Sequence, residues 1–307
     1  MDDRAVWWQT PFPEAPHGYV VVGVDGSDVS LRALDRAVEE AQRRGAALEI
    51  VHGWPWGHGG EPTIDVAQSV LELAADRARQ RAPELNIATT VTGVDAAEAL
   101  VRRGRDAVLT VVGTRGLGGF AGLLLGSVSL RVAAHTAGPL LVVRGDRDLA
   151  RTALGYDQVL LGLESDADTA AAAFAFEEAA RSKARLRVLH AWTYRQLTPV
   201  SLATVPDERM QEHLDRRSRD EAAVPAGAVA RLREAHPEVA ADTDSVRGGP
   251  ARTLLEATEA ADLVVIAAHR RKGNLGLQLG PVTHALLHHA HCPVVLVPVG
   301  PADESDG

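Results

Sequence analysis

Apolar residues follow two alternating patterns along the chain, short continuous runs and longer stretches at helical spacing, separated by glycine, proline and acidic turns. The run over residues 19–24 is what a strand buried on both faces requires. Ser27 or Asp28 is then placed to cap a helix whose apolar positions Leu31, Leu34, Val38 and Ala41 share one face. Gly45 is placed to close that helix in the left-handed conformation. Further strands are predicted over 48–51, 87–91, 108–112 and 140–143, and helices over 65–81, near 96–103 and from Ser127. Such alternation dictates a parallel sheet with right-handed crossovers and helices on both faces. Ligands of these sheets bind beyond the carboxyl ends of strands where the strand order reverses, which points to the loops after Val24 and Val112.

The pattern then occurs a second time. Residues 107–145 laid over 261–299, a constant shift of 154, agree at 12 of 39 positions without a gap, among them Gly126/Gly280, His135/His289 and Pro139/Pro293. Upstream the shift falls to about 138, where the Leu48–Trp54 stretch matches the Leu186–Trp192 stretch. The second copy therefore carries an insertion, expected within 193–226. A period this long is too great for a solenoid and implies a duplicated domain. The expected division is an extension over 1–17, a first unit over 18–146, a linker over 147–155, a second unit over 156–299 and an acidic tail over 300–307.

Composition narrows the function. The 307 residues are 46% hydrophobic and 24% charged, an ordinary globular mixture, and the formal charge of -9 argues against a nucleic-acid partner. A single cysteine, Cys292, fits a reducing compartment. No apolar run approaches a membrane span, and Met1-Asp2-Asp3-Arg4 has neither the basic region nor the apolar core of a leader, so no membrane and a cytoplasmic location are expected.

At the fourth strand end stands Gly113-Thr114-Arg115-Gly116, then nine residues, then Gly126-Ser127 opening a helix. Glycines let a backbone approach a ligand closely, and a helix start aims unpaired amides and the positive dipole end at what lies before it. Ser127 and Ser129 add hydroxyls, and Asp25 is an acceptor for a ribose hydroxyl. Together these describe a phosphate cradle. Taken singly, each glycine has a plainer explanation as relief of crowding, and Asp25 as the start of a turn into a helix.

The full spacing, Gly113-x2-Gly116-x9-Gly126-Ser127, resembles the ATP-binding loop of universal stress proteins. Val22-Gly23-Val24-Asp25, the strand end at His52-Gly53, Gly126-Ser127-Val128-Ser129 and His135 with Pro139 carry the same resemblance, which covers both repeats. It implies two tandem, doubly wound, parallel five-stranded α/β units of Rossmann-like type in a pseudo-two-fold arrangement. It places Gly23, Val24 and Asp25 on the adenosine side and Gly53 near the adenine. Gly113, Thr114, Arg115 and Gly116 then wrap ribose and phosphates, and Gly126, Ser127, Val128 and Ser129 hold the phosphate tail, often with Mg or Mn. Pairing through last strands is common in the family, which implies contact between 140–144 and 294–297, and a homodimer or other protein partner is expected. The second copy departs from the motif: Ala267, Arg270 and Pro281 replace Gly113, Gly116 and Ser127, and Glu164 replaces Asp25. Nucleotide binding there is expected to be weak or absent, although Arg270, Arg271 and Lys272 form a basic alternative.

Other signals fall short. Gly116-x-Gly118-x-x-Ala121 follows the fourth strand rather than the first and has no acidic residue at the dinucleotide spacing, and no Walker-type G-K-[ST] occurs. His284, His288, His289, His291 and Cys292 suggest a metal cluster, with a polar helix face as the plainer account. His52 and His190 end equivalent strands and read as structural hydrogen-bonders. Trp7-Trp8 belongs to a tail too short for a domain, packed over one unit, serving an interface or disordered. No catalytic residue stands out. A nucleotide-dependent regulator in the stress response is the expected function; a slow ATPase or phosphotransferase, and an interaction module without nucleotide, are the alternatives.

Overall fold

A computed structural model describes residues 6–9, 17–53, 64–114, 125–144, 156–193, 207–273 and 276–299. The first half runs β1 (Val6–Gln9), β2 (Tyr19–Gly23), α1 (Asp28–Arg44), β3 (Ala47–Gly53), α2 (Ile64–Arg81), β4 (Ile87–Thr92), α3 (Ala96–Arg103), β5 (Leu109–Gly113), α4 (Ser127–His135) and β6 (Leu140–Val143). The second runs β7 (Gln158–Leu163), α5 (Thr169–Ser182), β8 (Arg185–Trp192), α6 (Asp207–Ala235), β9 (Ala241–Arg247), α7 (Pro250–Ala257), β10 (Leu263–Ala268), the hairpin β11 (Arg270–Gly273) and β12 (Gly276–Leu279), α8 (Pro281–His289) and β13 (Val294–Pro298).

Local chemistry explains the helix limits. The Ser27 hydroxyl accepts from the Ser30 amide at 3.2 Å and starts α1, while Gly45, at a φ of 61°, ends it. Removing an N-cap hydroxyl costs about 1 kcal/mol. Ser27→Ala is therefore expected to lower stability by about that much, and an unchanged urea midpoint would count against Ser27 as the cap. The equivalent helices α3 and α7 are capped differently. Asp95 accepts from the Ala97 and Glu98 amides at 2.9 and 3.2 Å, whereas α7 starts from Gly249 with Pro250 in its first turn. The insertion lies between β8 and β9, where α6 has 29 residues against 18 in α2.

Each half orders its strands with the reversal at its centre, β4-β3-β2-β5-β6 and β9-β8-β7-β10-β13. The two five-stranded units do not remain separate sheets. β6 and β13 pair antiparallel, with Val142 opposite Val294 and Leu140 opposite Leu296, so ten strands join across a pseudo-two-fold seam. β1, from the extension, adds antiparallel to β4 as an eleventh strand. The Trp7-Trp8 segment is thus backbone paired at a sheet edge.

Two apolar layers run across both halves. One lies under α1, α2, α5 and α6, the other under α3, α4, α7 and α8. The seam carries charge on the first face. There Glu178 accepts from Arg44 at 2.5 Å and from Arg181 at 3.1 Å, Glu40 pairs with Arg43 and Arg44, and the Tyr156 hydroxyl donates to Glu40 at 2.9 Å. On the opposite face Arg144 donates to the Leu287 and His288 carbonyls at 2.9 and 2.8 Å.

Candidate functional site

The first strand reversal lies between β2 and β5, adjacent parallel strands whose carboxyl ends open toward α4. Gly23, Gly53 and Gly113 stand at those ends, and their glycine identity has an intramolecular cause. A Cβ on Gly23 would meet Leu100 at 2.7 Å, one on Gly53 would meet Ala96 at 2.5 Å, and one on Gly113 would meet Val29 at 2.9 Å. These glycines admit close packing of α3 and α1 against the sheet; the relief-of-crowding reading accounts for them without a ligand.

Asp25 and Val24 follow β2. One Asp25 carboxylate oxygen accepts from the Ser27 amide at 3.0 Å and its hydroxyl at 2.6 Å, so the side chain organises the turn into α1. His52 contacts the Val24 carbonyl through Nδ1 at 2.7 Å, a hydrogen bond that ties β3 to this turn. Thr114 is buried, donates its amide to Val143 and accepts from the Gly126 amide at 2.6 Å, closing the loop that spans them. Arg115 and Gly116 lie outside the described residues.

Gly126 is the N-cap of α4, with extended backbone and no side-chain cap. Ser127, Val128 and Ser129 form its first turn, where helix geometry leaves amides without intrahelical partners. Ser127 and Val128 are exposed. The Ser129 hydroxyl is not aimed at a ligand, because it donates to the Gly113 carbonyl at 2.6 Å and fixes α4 on the end of β5. The first half therefore offers an uncapped, exposed helix start at the point where the strand order reverses, an arrangement suited to anions.

The second half repeats the frame and changes the lining. Gly162 packs on Leu254 as Gly23 does on Leu100, and Ala267 pairs with Val297 as Gly113 does with Val143. Gly280 caps α8 in the same extended conformation as Gly126, but Pro281 follows and has no amide hydrogen. A cleft of about 180 Å3 opens here. Its floor holds a pair that inspection of motifs misses, Asp168 and His269, joined at 2.8 Å. Asp168 occupies the N-cap of α5 without capping it; its second oxygen accepts from the Glu164 and Ser165 amides at 2.7 and 3.2 Å. The signal available in the sequence was an acidic residue at the N-cap position before α5, where the first copy has Ser27 before α1.

Burial pushes the Asp168 carboxyl up, but the His269 and amide hydrogen bonds outweigh it and hold the group below the usual range. A depressed folded value stabilises the protein above the ordinary carboxyl value and is lost as pH falls through the folded one. Parent and Asp168→Asn should thus differ in urea midpoint near neutrality and converge below about pH 4. A pH-independent difference would contradict this.

Histidines elsewhere divide by environment. His190 contacts the Leu163 carbonyl at 3.1 Å and Glu221 of α6 at 2.8 Å, a structural role like that of His52. His284 and His288 stack with ring centroids 4.2 Å apart. Burial, then His284, His289 and Arg144, hold His288 below its ordinary value. Cys292 is buried, and among the described residues no group of three histidines, cysteines or carboxylates is placed to hold a metal. Likewise no described helix is long and apolar enough to cross a membrane.

Comparison with known proteins agrees with the repeat. The Universal stress protein family pattern matches residues 18–144 and again 155–298. A universal stress protein of Mycolicibacterium smegmatis is 30% identical over 294 residues, covering 91% of this chain and 96% of that protein. One of Mycobacterium tuberculosis H37Rv is 31% identical over 298 residues, covering 90% and 95%. A crystal structure of a universal stress protein from Archaeoglobus fulgidus shares the fold at a TM-score of 0.61 and 14% identity, covering 93% of this chain and all of that one (100%). Duplicated sequence, doubly wound halves and two family matches lead to one conclusion: the chain belongs to the universal stress protein family, as a tandem member.

Proposed function

We propose that the chain is an ATP-binding regulator with one nucleotide site, in the first of two domains spanning 18–146 and 156–299. The exposed, uncapped start of α4 beside the β2–β5 reversal carries the reading. Amides of Ser127, Val128 and Ser129 would receive phosphate, with Gly113, Thr114, Arg115, Gly116 and Gly126 forming the loop around it. Gly23, Val24, Asp25 and Gly53 would border the nucleoside. A divalent ion, Mg or Mn, would draw its ligands chiefly from the phosphates. The location would be cytoplasmic, and a second copy or another protein the partner.

Regulation follows from connectivity. α4 leads through Pro139 directly into β6, the strand that pairs with β13 across the seam. A ligand that tightens the start of α4 would bias how the two halves, or two chains, dock. Assaying the supernatant of the denatured, purified protein for ATP tests occupancy; nucleotide is expected there. Steady-state phosphate release separates binding from hydrolysis. Turnover abolished by Gly116→Arg would overturn the binding-only account.

A further inference from the structure

The second-half cleft is not an eroded copy of the first, because its changes are concerted in charge. Asp168 is 1% exposed at the floor, and its carboxylate is fully engaged by His269 and two amides. Glu164 stands at the rim, 70% exposed, with a carboxylate oxygen 3.6 Å from His269 Nε2. Two carboxylates against one imidazole leave the described lining anionic, with no lysine or arginine among the described lining residues. Pro281 removes an amide from the helix start where Ser127 supplies one. The buried Asp168 carboxylate, at the N-cap position where the first half has the Ser27 hydroxyl, and the amide lost at Pro281 oppose a phosphate, while Glu164 keeps the charge of Asp25.

None opposes a nucleoside. Leu163, Leu254, Ile266 and Val282 give apolar walls for a planar ring. Gly162 keeps the tight packing of α7 on the sheet that preserves the cleft's shape. Glu164, an acceptor only, suits a ligand that presents hydroxyl donors. We propose that the second-half cleft binds a nucleoside, a neutral ligand with a base and vicinal hydroxyls, and rejects its phosphorylated forms. The inference rests on reading the first-half cleft as a nucleotide site, since duplication of that cleft is what makes a nucleoside the ligand class.

Isothermal titration of adenosine into the full chain already saturated with ATP tests it. One further equivalent is expected to bind without release of ATP. Val282→Trp, which fills the cleft from a partly exposed position, should weaken adenosine about tenfold or more and leave ATP unaffected. AMP should not compete for this site at concentrations where adenosine saturates it. The proposal is overturned if adenosine does not bind, if it binds only by displacing ATP, if Val282→Trp leaves it unchanged, or if a second ATP binds through the basic residues Arg270, Arg271 and Lys272. Should the parent take no ATP, the first-half reading fails. Adenosine binding to that ATP-free chain, weakened by Val282→Trp, still supports this one.

Discussion

Glu178→Ala is expected to lower the unfolding free energy by about 3 kcal/mol or more. Its carboxylate is 1% exposed and holds Arg44, itself 7% exposed, together with Arg181. Arg36 lies in the same cluster, 4% exposed, and burial followed by the charge of Arg43 lowers its pKa to about 10. Its guanidinium stacks on Tyr156 at 4.4 Å, and Glu178 is among the charges that keep it protonated. Removing Glu178 strands buried guanidinium charge with less compensation, and that desolvation is what the mutant would register. An exposed pair provides the control. Arg79 and Asp76 are 56% and 65% exposed, so Arg79→Ala should shift the urea midpoint little. Equal shifts for the two variants would show that the seam cluster carries no special weight.

Ser127→Pro is expected to weaken ATP binding by about tenfold to a hundredfold while the fold survives. Proline is well tolerated at the first position of a helix, where the lost amide has no intrahelical partner. The second half supplies an internal control, because Pro281 already opens α8 with the helix intact. The substitution therefore removes one proposed phosphate donor and little else. Titration calorimetry of parent and variant, with far-ultraviolet circular dichroism to confirm the fold, would read the loss. Equal affinities would move the phosphate away from α4.

Strand and helix positions in the first half were legible because parallel strands buried on both faces are continuous apolar runs, bounded here by Ser27, Gly45 and Gly126. The repeat gave the second half in the same way, including the insertion that lengthens α6. Three features were not legible for a physical reason. β1 is a short segment whose place depends on an open edge at β4, far along the chain, and no local pattern encodes that. Arg36, Glu40 and Arg44 look in sequence like a solvated helix face; only the antiparallel joining of β6 to β13 brings α1 against α5 and buries them. Asp168 and His269 are 101 residues apart, and neither belongs to a motif. The candidate nucleotide loop shows the opposite limit. Its spacing was plain, yet Gly23, Gly53 and Gly113 are accounted for by packing against Leu100, Ala96 and Val29, and Ser129 by its bond to Gly113. What remains as the chemical core of the nucleotide reading is the start of α4.

The number of ATP molecules bound per chain tests the account most directly, because it interrogates both halves at once. Calorimetric titration of nucleotide-stripped protein should give one, abolished or greatly weakened by Ser127→Pro. Two per chain, or none, would contradict a single working site at α4.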